Sequence, residues 1–348
     1  MIPSPFVFYR GAAAIMAADL ADTPATGIRV QCCGDAHLMN FGAFATPERR
    51  EIFDINDFDE TLPAPWEWDI KRLATSFLIA SRSNGFSQAE ARKTALGCVR
   101  SYRERMIEFA QMRTLDVWYA RLDLETILPT IKDDEARKRL KRRLQKAEAS
   151  DVVESDFPKL VTIENGEPTI RDNPPLIYHL REQAGPEFEA KVAEAFARYR
   201  ESLPEERRVL VDRYQIKDFA IKVVGVGSVG TFCAIMLMTA GVDDPLFLQV
   251  KEAGSSVLEP YAGKSIYENH GQRVVTGLRL MQSASDLFLG WTEGRHFYVR
   301  QLHDMKIKML VELFTPTVMM QYAEYCGWAP DSTREPRPRR RNWLCTTE

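Results

Sequence analysis

The sequence has little of what several protein classes depend on. Its 348 residues hold six cysteines and no Cys-x-x-Cys pair. A disulfide scaffold is therefore excluded, and reduced thiols in the cytoplasm are expected. Neither sign of charge dominates: 46 Lys+Arg stand against 49 Asp+Glu, a net charge of -3. A nucleic-acid binder relying on a global positive field is excluded, and no nucleic-acid partner is expected. The first nineteen residues carry an early Arg10 and no clean apolar stretch, so no secretory signal is expected. A long apolar run is also missing. Val223 to Asp243 holds no charge until its last residue, but it opens with Gly225, Gly227 and Gly230. Only Thr231 to Ala240 is strongly apolar, half of the ~20 residues a membrane span needs. A buried β-hairpin fits that stretch better, and no membrane partner is expected.

What remains is the composition of a globular protein, 45% apolar and 27% charged, in three blocks. From Phe6 to Ser83, short apolar runs alternate with turn residues. IRVQCCGDAHLMNFGAF predicts strand, tight loop and strand, and EIFDINDFDETLPAPWEW predicts a strand entering an acidic loop. Ile70, Leu73, Ala74, Phe77 and Leu78 then recur at helical spacing. From Ser87 to Gln215 the reading is helical. Ser87 and Glu90 form a capping box, and Glu135 to Glu148 is a charged helix whose Arg/Lys cluster reads first as a solvated face. Asn165-Gly166 between two short apolar runs predicts a hairpin. From Ile216 to Leu302 the chain turns to strands, with one helix around HGQRVVTGLRLMQSASD. Pro330 to Glu348 has no apolar periodicity and reads as a disordered basic tail.

Two loops could carry chemistry. Gly34 to Asn40 places Asp35, His37 and Asn40 within six residues after a β-like run. The Asp-x4-Asn spacing is that of a phosphoryl-transfer catalytic loop, in which the Asp accepts the acceptor's proton and the Asn ligates Mg²⁺. Asp54, Asp57, Asp59 and Glu60 crowd seven positions at the end of the next strand. Such a cluster repels itself unless a cation compensates, and hard oxygen ligands suit Mg²⁺. Asp57 is the first metal-ligand candidate and Asp59 the second, with Asn40 as their companion.

A glycine loop follows much later: Gly225, Gly227, Ser228 and Gly230 in GVGSVG, succeeded by β-compatible TFCAIMLM rather than by a helix. That order argues against a dinucleotide-binding turn. Lys251 stands alone in an apolar run, its amine expected to reach inward toward a phosphate. Glu259 and Glu268 are candidates to pair with it, and Glu268 has the better spacing.

GDAHLMNF followed by NDFDE resembles the catalytic and metal-binding loops of aminoglycoside phosphotransferases and choline kinases. GVGSVG with LQVKEA resembles the nucleotide lobe of the same kinase-like superfamily, and WDIKRL is similar to the helix whose Asp69 anchors the catalytic loop. The order of the two halves is reversed, which a circular permutation reconciles. From Phe6 to about Trp328 the chain also resembles a bacterial family, domain of unknown function 2252, through FYRG, GDAHLMNFG, FDINDFDET, WEWDIKRL, VGVGSVGT and LQVKEA.

The resemblance implies Asp35 as base or orienter of the acceptor and His37 as a residue shaping the loop. It implies Asn40 and Asp57 on Mg²⁺, Lys251 on the ATP phosphates, and the glycine loop covering them. The expected fold is α+β: a two-lobed, circularly permuted protein-kinase-like fold. Residues 1–215 form a helical catalytic lobe, 216–305 a small antiparallel nucleotide lobe, 306–328 a return helix and 329–348 the tail. The expected function is ATP- and Mg²⁺-dependent phosphoryl transfer to an unidentified small molecule or protein. The alternatives are a nucleotide-binding pseudokinase, suggested by the proline-rich tail that departs from the family pattern, and a metal-dependent phosphoesterase. The latter lacks a His-x-His pair among the five histidines.

Overall fold

The computed structural model describes residues 4–148, 157–179, 185–223, 231–241, 244–302, 307 and 309–329. Its class is α+β, with several antiparallel sheets. Ser4 caps the first helix, Pro5–Arg10, and Ala13–Ala21 follows. The chain then lays down β1 (Arg29–Cys32), β2 (Phe41–Ala45), β3 (Glu51–Ile55), β4 (Leu62–Pro65) and, later, β5 (Leu122–Asp123). β1 pairs with β4, and β3 lies between β2 and β5, all antiparallel. The two loops singled out in the sequence are the β1–β2 and β3–β4 connections, so the topology brings them side by side.

Behind them lies a helical layer. Ile70, Leu73 and Phe77 of helix Glu67–Ser83 are buried, as their spacing predicts. Helix Gln88–Gln111 starts at the expected Ser87/Glu90 capping box. Helix Pro316–Trp328 returns from the far end of the chain to pack on both of them. Its Tyr322 hydroxyl donates to the carbonyl of Leu38 at 2.7 Å and sits in a core with Phe53, Leu73 and Phe77.

The rest is one sheet and its covers. β6 (Val161–Glu164) and β7 (Glu167–Ile170) form the expected hairpin, with Asn165 and Gly166 both at positive φ. β8 (Ile177–Tyr178), β9 (Gln215–Lys222), β10 (Cys233–Thr239), β11 (Pro245–Glu252), β12 (Gly290–Trp291) and β13 (Phe297–Gln301) form a six-stranded antiparallel sheet. Its order is β12-β13-β11-β10-β9-β8. One face, with Met236, Leu248, Val250 and Val299, packs on Tyr199, Leu203 and Val211 from the helical stretch after residue 185. The other, with Ile235, Leu237 and Phe247, is covered by Val161 and Ile170 of the hairpin. β10 is buried along its whole length, which is why TFCAIMLMTA reads as apolar as a membrane segment. Among the described residues no helix is long and apolar enough to cross a membrane.

Side chains alternate between faces along a strand. Lys251 pairs with Tyr298, and Gln249 with Arg300, across β11 and β13. All four therefore emerge from the face opposite Val250 and Val299, toward the β3–β4 loop.

Candidate active site

The β1–β2 loop is held from behind by one carboxylate. Asp69, in the first turn of helix Glu67–Ser83, accepts the N–H of Cys33 at 2.7 Å and of Gly34 at 3.0 Å. Burial raises its pKa, and these two donors work against that rise. Gly34 has φ +85°, and a Cβ there would lie 2.2 Å from the carbonyl oxygen of Glu60. Only glycine lets the two loops approach so closely. The amide of Asn40 donates to the carbonyl of Asp35 at 2.8 Å, and the N–H of Asn56 donates to the carbonyl of Asn40 at 2.7 Å. The second of these bonds joins the end of the β1–β2 loop to the start of the acidic β3–β4 loop.

Asp35 faces a guanidinium. Arg72 Nε donates to its Oδ1 at 2.6 Å, and Nη2 reaches the same oxygen. Burial nevertheless lifts the Asp35 carboxyl to about 6, against the pull of Arg72 and with the help of Asp57 and Asp69. His37 Nε2 stands 3.8 Å from Asp35 Oδ2, and its Nδ1 accepts the N–H of Met39. Burial, with Arg72 and Arg10 nearby, pushes this imidazole down to about 3. His37 thus stays neutral at physiological pH and caps its own loop.

The four crowded carboxylates separate. Asp54 turns away and accepts from the N–H and hydroxyl of Ser283 at 2.9 and 2.7 Å. Glu60 accepts the N–H of Val257 at 2.7 Å, and burial raises its carboxyl to about 7. Asp59 is taken on both oxygens: Lys251 Nζ lies 2.5 Å from Oδ2, and the Tyr298 hydroxyl lies 2.5 Å from Oδ1. Asp57 Oδ1 is 4.0 Å from Lys251 Nζ, and its side chain is 40% exposed. Burial by itself would lower the Lys251 pKa, but Asp57, Tyr298 and Asp59 together carry it well above its ordinary value. The lysine is therefore a fixed cation.

Two arginines complete the site. Arg273 donates to the carbonyls of Asp59 and Thr61 at 2.7 and 2.6 Å, and to that of Gly254 at 2.9 Å. Arg300 donates to Gln249 Oε1 at 3.0 Å and to the carbonyl of Asn56 at 3.2 Å.

Asp35, Asn40, Asp57, Asp59 and Lys251 thus share one site. Glu268 does not pair with Lys251; it lies exposed in the bend before helix His270–Met281, while Asp59 holds the amine. Gly225, Gly227, Ser228 and Gly230 lie outside the described residues. Sequence reasoning missed Arg72, Tyr298, Arg273 and Arg300 as site residues. Arg72 left a signal, because it follows Asp69 by three residues and so shares its helix face.

For a divalent cation the fit is partial. Among the described residues, no three His, Cys, Asp or Glu side chains are grouped to hold a metal by themselves. Asp57 is half-exposed, and the Asn40 amide nitrogen is already engaged, which leaves its oxygen as the donor. One or two protein oxygens, completed by phosphate and water, are the usual Mg²⁺ set.

Neither the curated proteins nor the solved structures contain a match to this chain. A family model does match residues 1–331, and with nearly the whole chain covered, the protein belongs to the family described as "Uncharacterized protein conserved in bacteria (DUF2252)".

Proposed function

We propose that this protein is an ATP- and Mg²⁺-dependent phosphotransferase of protein-kinase-like, circularly permuted architecture. Residues 1–215 would form its catalytic region, 216–305 its nucleotide region and 306–328 the returning helix. The observation that carries this reading is the meeting of Lys251 with Asp59, 192 residues away in sequence, and with Asp57, beside the Asp35–Asn40 loop. A buried cation facing an acidic loop, next to a carboxylate of raised pKa, is the arrangement that phosphoryl transfer needs.

Each residue then has a role. Asn40 and Asp57 would hold Mg²⁺, which when bound neutralises charge on the phosphate oxygens. Asp59 positions Lys251, and Lys251 with Arg300 presents positive charge to the nucleotide phosphates. Arg72 fixes Asp35 through Oδ1 and leaves Oδ2 to orient the acceptor hydroxyl and take its proton. With a carboxyl at about 6, Asp35 is ionised at pH 7.5 and able to do so.

A nucleotide-binding module without turnover is the second reading. It is favoured by the same ion pairs, which tie both Asp35 and Lys251 within the protein. Phosphate release from Mg·ATP, with water as acceptor, separates the two. Asp35→Asn should keep nucleotide binding and lower turnover by roughly 10²-fold or more. Wild-type turnover should fall on the acid side with a midpoint near pH 6. Unchanged turnover in Asp35→Asn would remove that residue from the mechanism, and no turnover in well-folded wild type would favour the binding module.

A further inference from the structure

Away from that site, the basic helix has a neighbour that the sequence does not announce. Helix Asp134–Glu148 carries seven basic and three acidic residues, a net +4 in a chain of net -3. Its Leu144 is buried in the core, while Leu140 is half-buried and borders a cavity of about 470 Å³. The opposite wall is Met309, Leu310, Leu313 and Phe314, of which Leu310 and Leu313 are 42% and 53% exposed. Arg139, Arg142 and Arg143 line the same cavity. Arg137 is engaged on the carbonyl of Ile131 and on Asp134, Arg142 Nε donates to the carbonyl of Lys138 at 3.4 Å, and Arg143 also has a contact within the protein.

The geometry points to a binding groove for a free single-chain amphiphile with an anionic head, an alkyl carboxylate being the simplest member. An apolar floor takes the chain, and arginines at i, i+3 and i+4 take the head, since guanidinium pairs with carboxylate in a two-pronged fashion. The volume lies in the range of small-molecule sites, roughly 300–1,000 Å³. A membrane surface is disfavoured by the shape. The helix turns its own leucines toward the protein, and two separate elements enclose the apolar space, whereas an interfacial helix presents its apolar face outward.

The test is calorimetric titration of the full chain with dodecanoate below its micelle concentration. Dodecyltrimethylammonium serves as the cationic control, and vesicles of phosphatidylcholine with phosphatidylglycerol as the membrane control. The expected result is saturable one-to-one binding of dodecanoate, weakened at least about tenfold by Arg139→Glu/Arg143→Glu and likewise by Leu313→Asp. All three positions are exposed, so the variants should fold, which circular dichroism checks. The cationic amphiphile should bind no better than the variants bind dodecanoate. Equal binding of both head charges, binding indifferent to either variant, or binding to vesicles but not to dodecanoate would each overturn the proposal. So would capture of an acidic helical peptide without dodecanoate binding.

Discussion

Removing Asp59 should expose how much the candidate site depends on its central ion pair. At 2.5 Å and an effective dielectric of about 20, two unit charges attract by about 7 kcal/mol. Desolvating both ions costs several kcal/mol each, so the pair adds little over an apolar pair of similar volume. Breaking it is different, because a charge is left behind. Asp59→Asn strands a Lys251 that is 4% exposed, with Asp57 4.0 Å away as its nearest remaining carboxylate. Such losses run to roughly 3–5 kcal/mol. The 29% exposure of the Asp59 side chain places this one at the low end, about 3 kcal/mol. Lys251→Met should cost about 2 kcal/mol, since Asp59 keeps the Tyr298 hydroxyl and some water. The double variant removes both charges and should cost about 2 kcal/mol rather than the sum, a coupling of about 3 kcal/mol. The assay is urea unfolding at pH 7.5, accepted where fluorescence and circular dichroism transitions coincide. A coupling below about 0.5 kcal/mol would refute the claim that this pair joins the sheet to the acidic loop.

Two further outcomes follow from the same loops. Gly34→Ala should destabilise by about 3 kcal/mol in the same urea assay, because positive φ and a near-contact with the Glu60 carbonyl are penalised together; a loss under 1 kcal/mol would show that the loops are not tightly apposed. Glu60 is raised from 4.5 to about 7, so the folded state holds its proton more tightly than the unfolded state does. The stability that this contributes is complete below about pH 4.5 and is lost as pH rises through 7, a change of up to roughly 3 kcal/mol. Glu60→Gln keeps an acceptor for Val257 without the charge, and its stability relative to wild type should therefore climb between pH 5 and pH 8. A flat difference over that range would contradict the buried-carboxyl account.

Local patterns carried much of the fold, and pairings distant in sequence carried most of the site. Ser87 with Glu90 and Asn165 with Gly166 announced a helix start and a hairpin, because capping and turn chemistry act within four residues. The apolar run around Cys233 was legible as a buried strand for the same local reason. The edge strand Ile177–Tyr178 was not, since two residues carry no periodicity and their role comes from β9. The stretch after residue 185 was legible as helical, but a local helix reading names no partner, and the sheet face it covers was decided elsewhere in the chain. Lys251 is the clearest case. Local spacing pointed to Glu259 or Glu268, with Glu268 preferred, whereas Arg273, by holding the carbonyls of Asp59 and Gly254 together, delivers a carboxylate from the other end of the chain. The β1–β2 and β3–β4 loops were recognisable from their residues alone, because glycine, Asp, His and Asn at fixed offsets are local requirements of the loop itself.

The central claim is a nucleotide-phosphate site between Lys251 and the Asn40/Asp57 loops, and calorimetric titration with ATP tests it most directly. Titrations with and without Mg²⁺ should be run on wild type, Lys251→Arg and Asp57→Asn, each checked for folding by circular dichroism. The account predicts saturable binding by wild type that strengthens with Mg²⁺, is weakened in Lys251→Arg, and loses its Mg²⁺ dependence in Asp57→Asn. Absence of ATP binding by folded wild type, or binding that neither substitution alters, would contradict it.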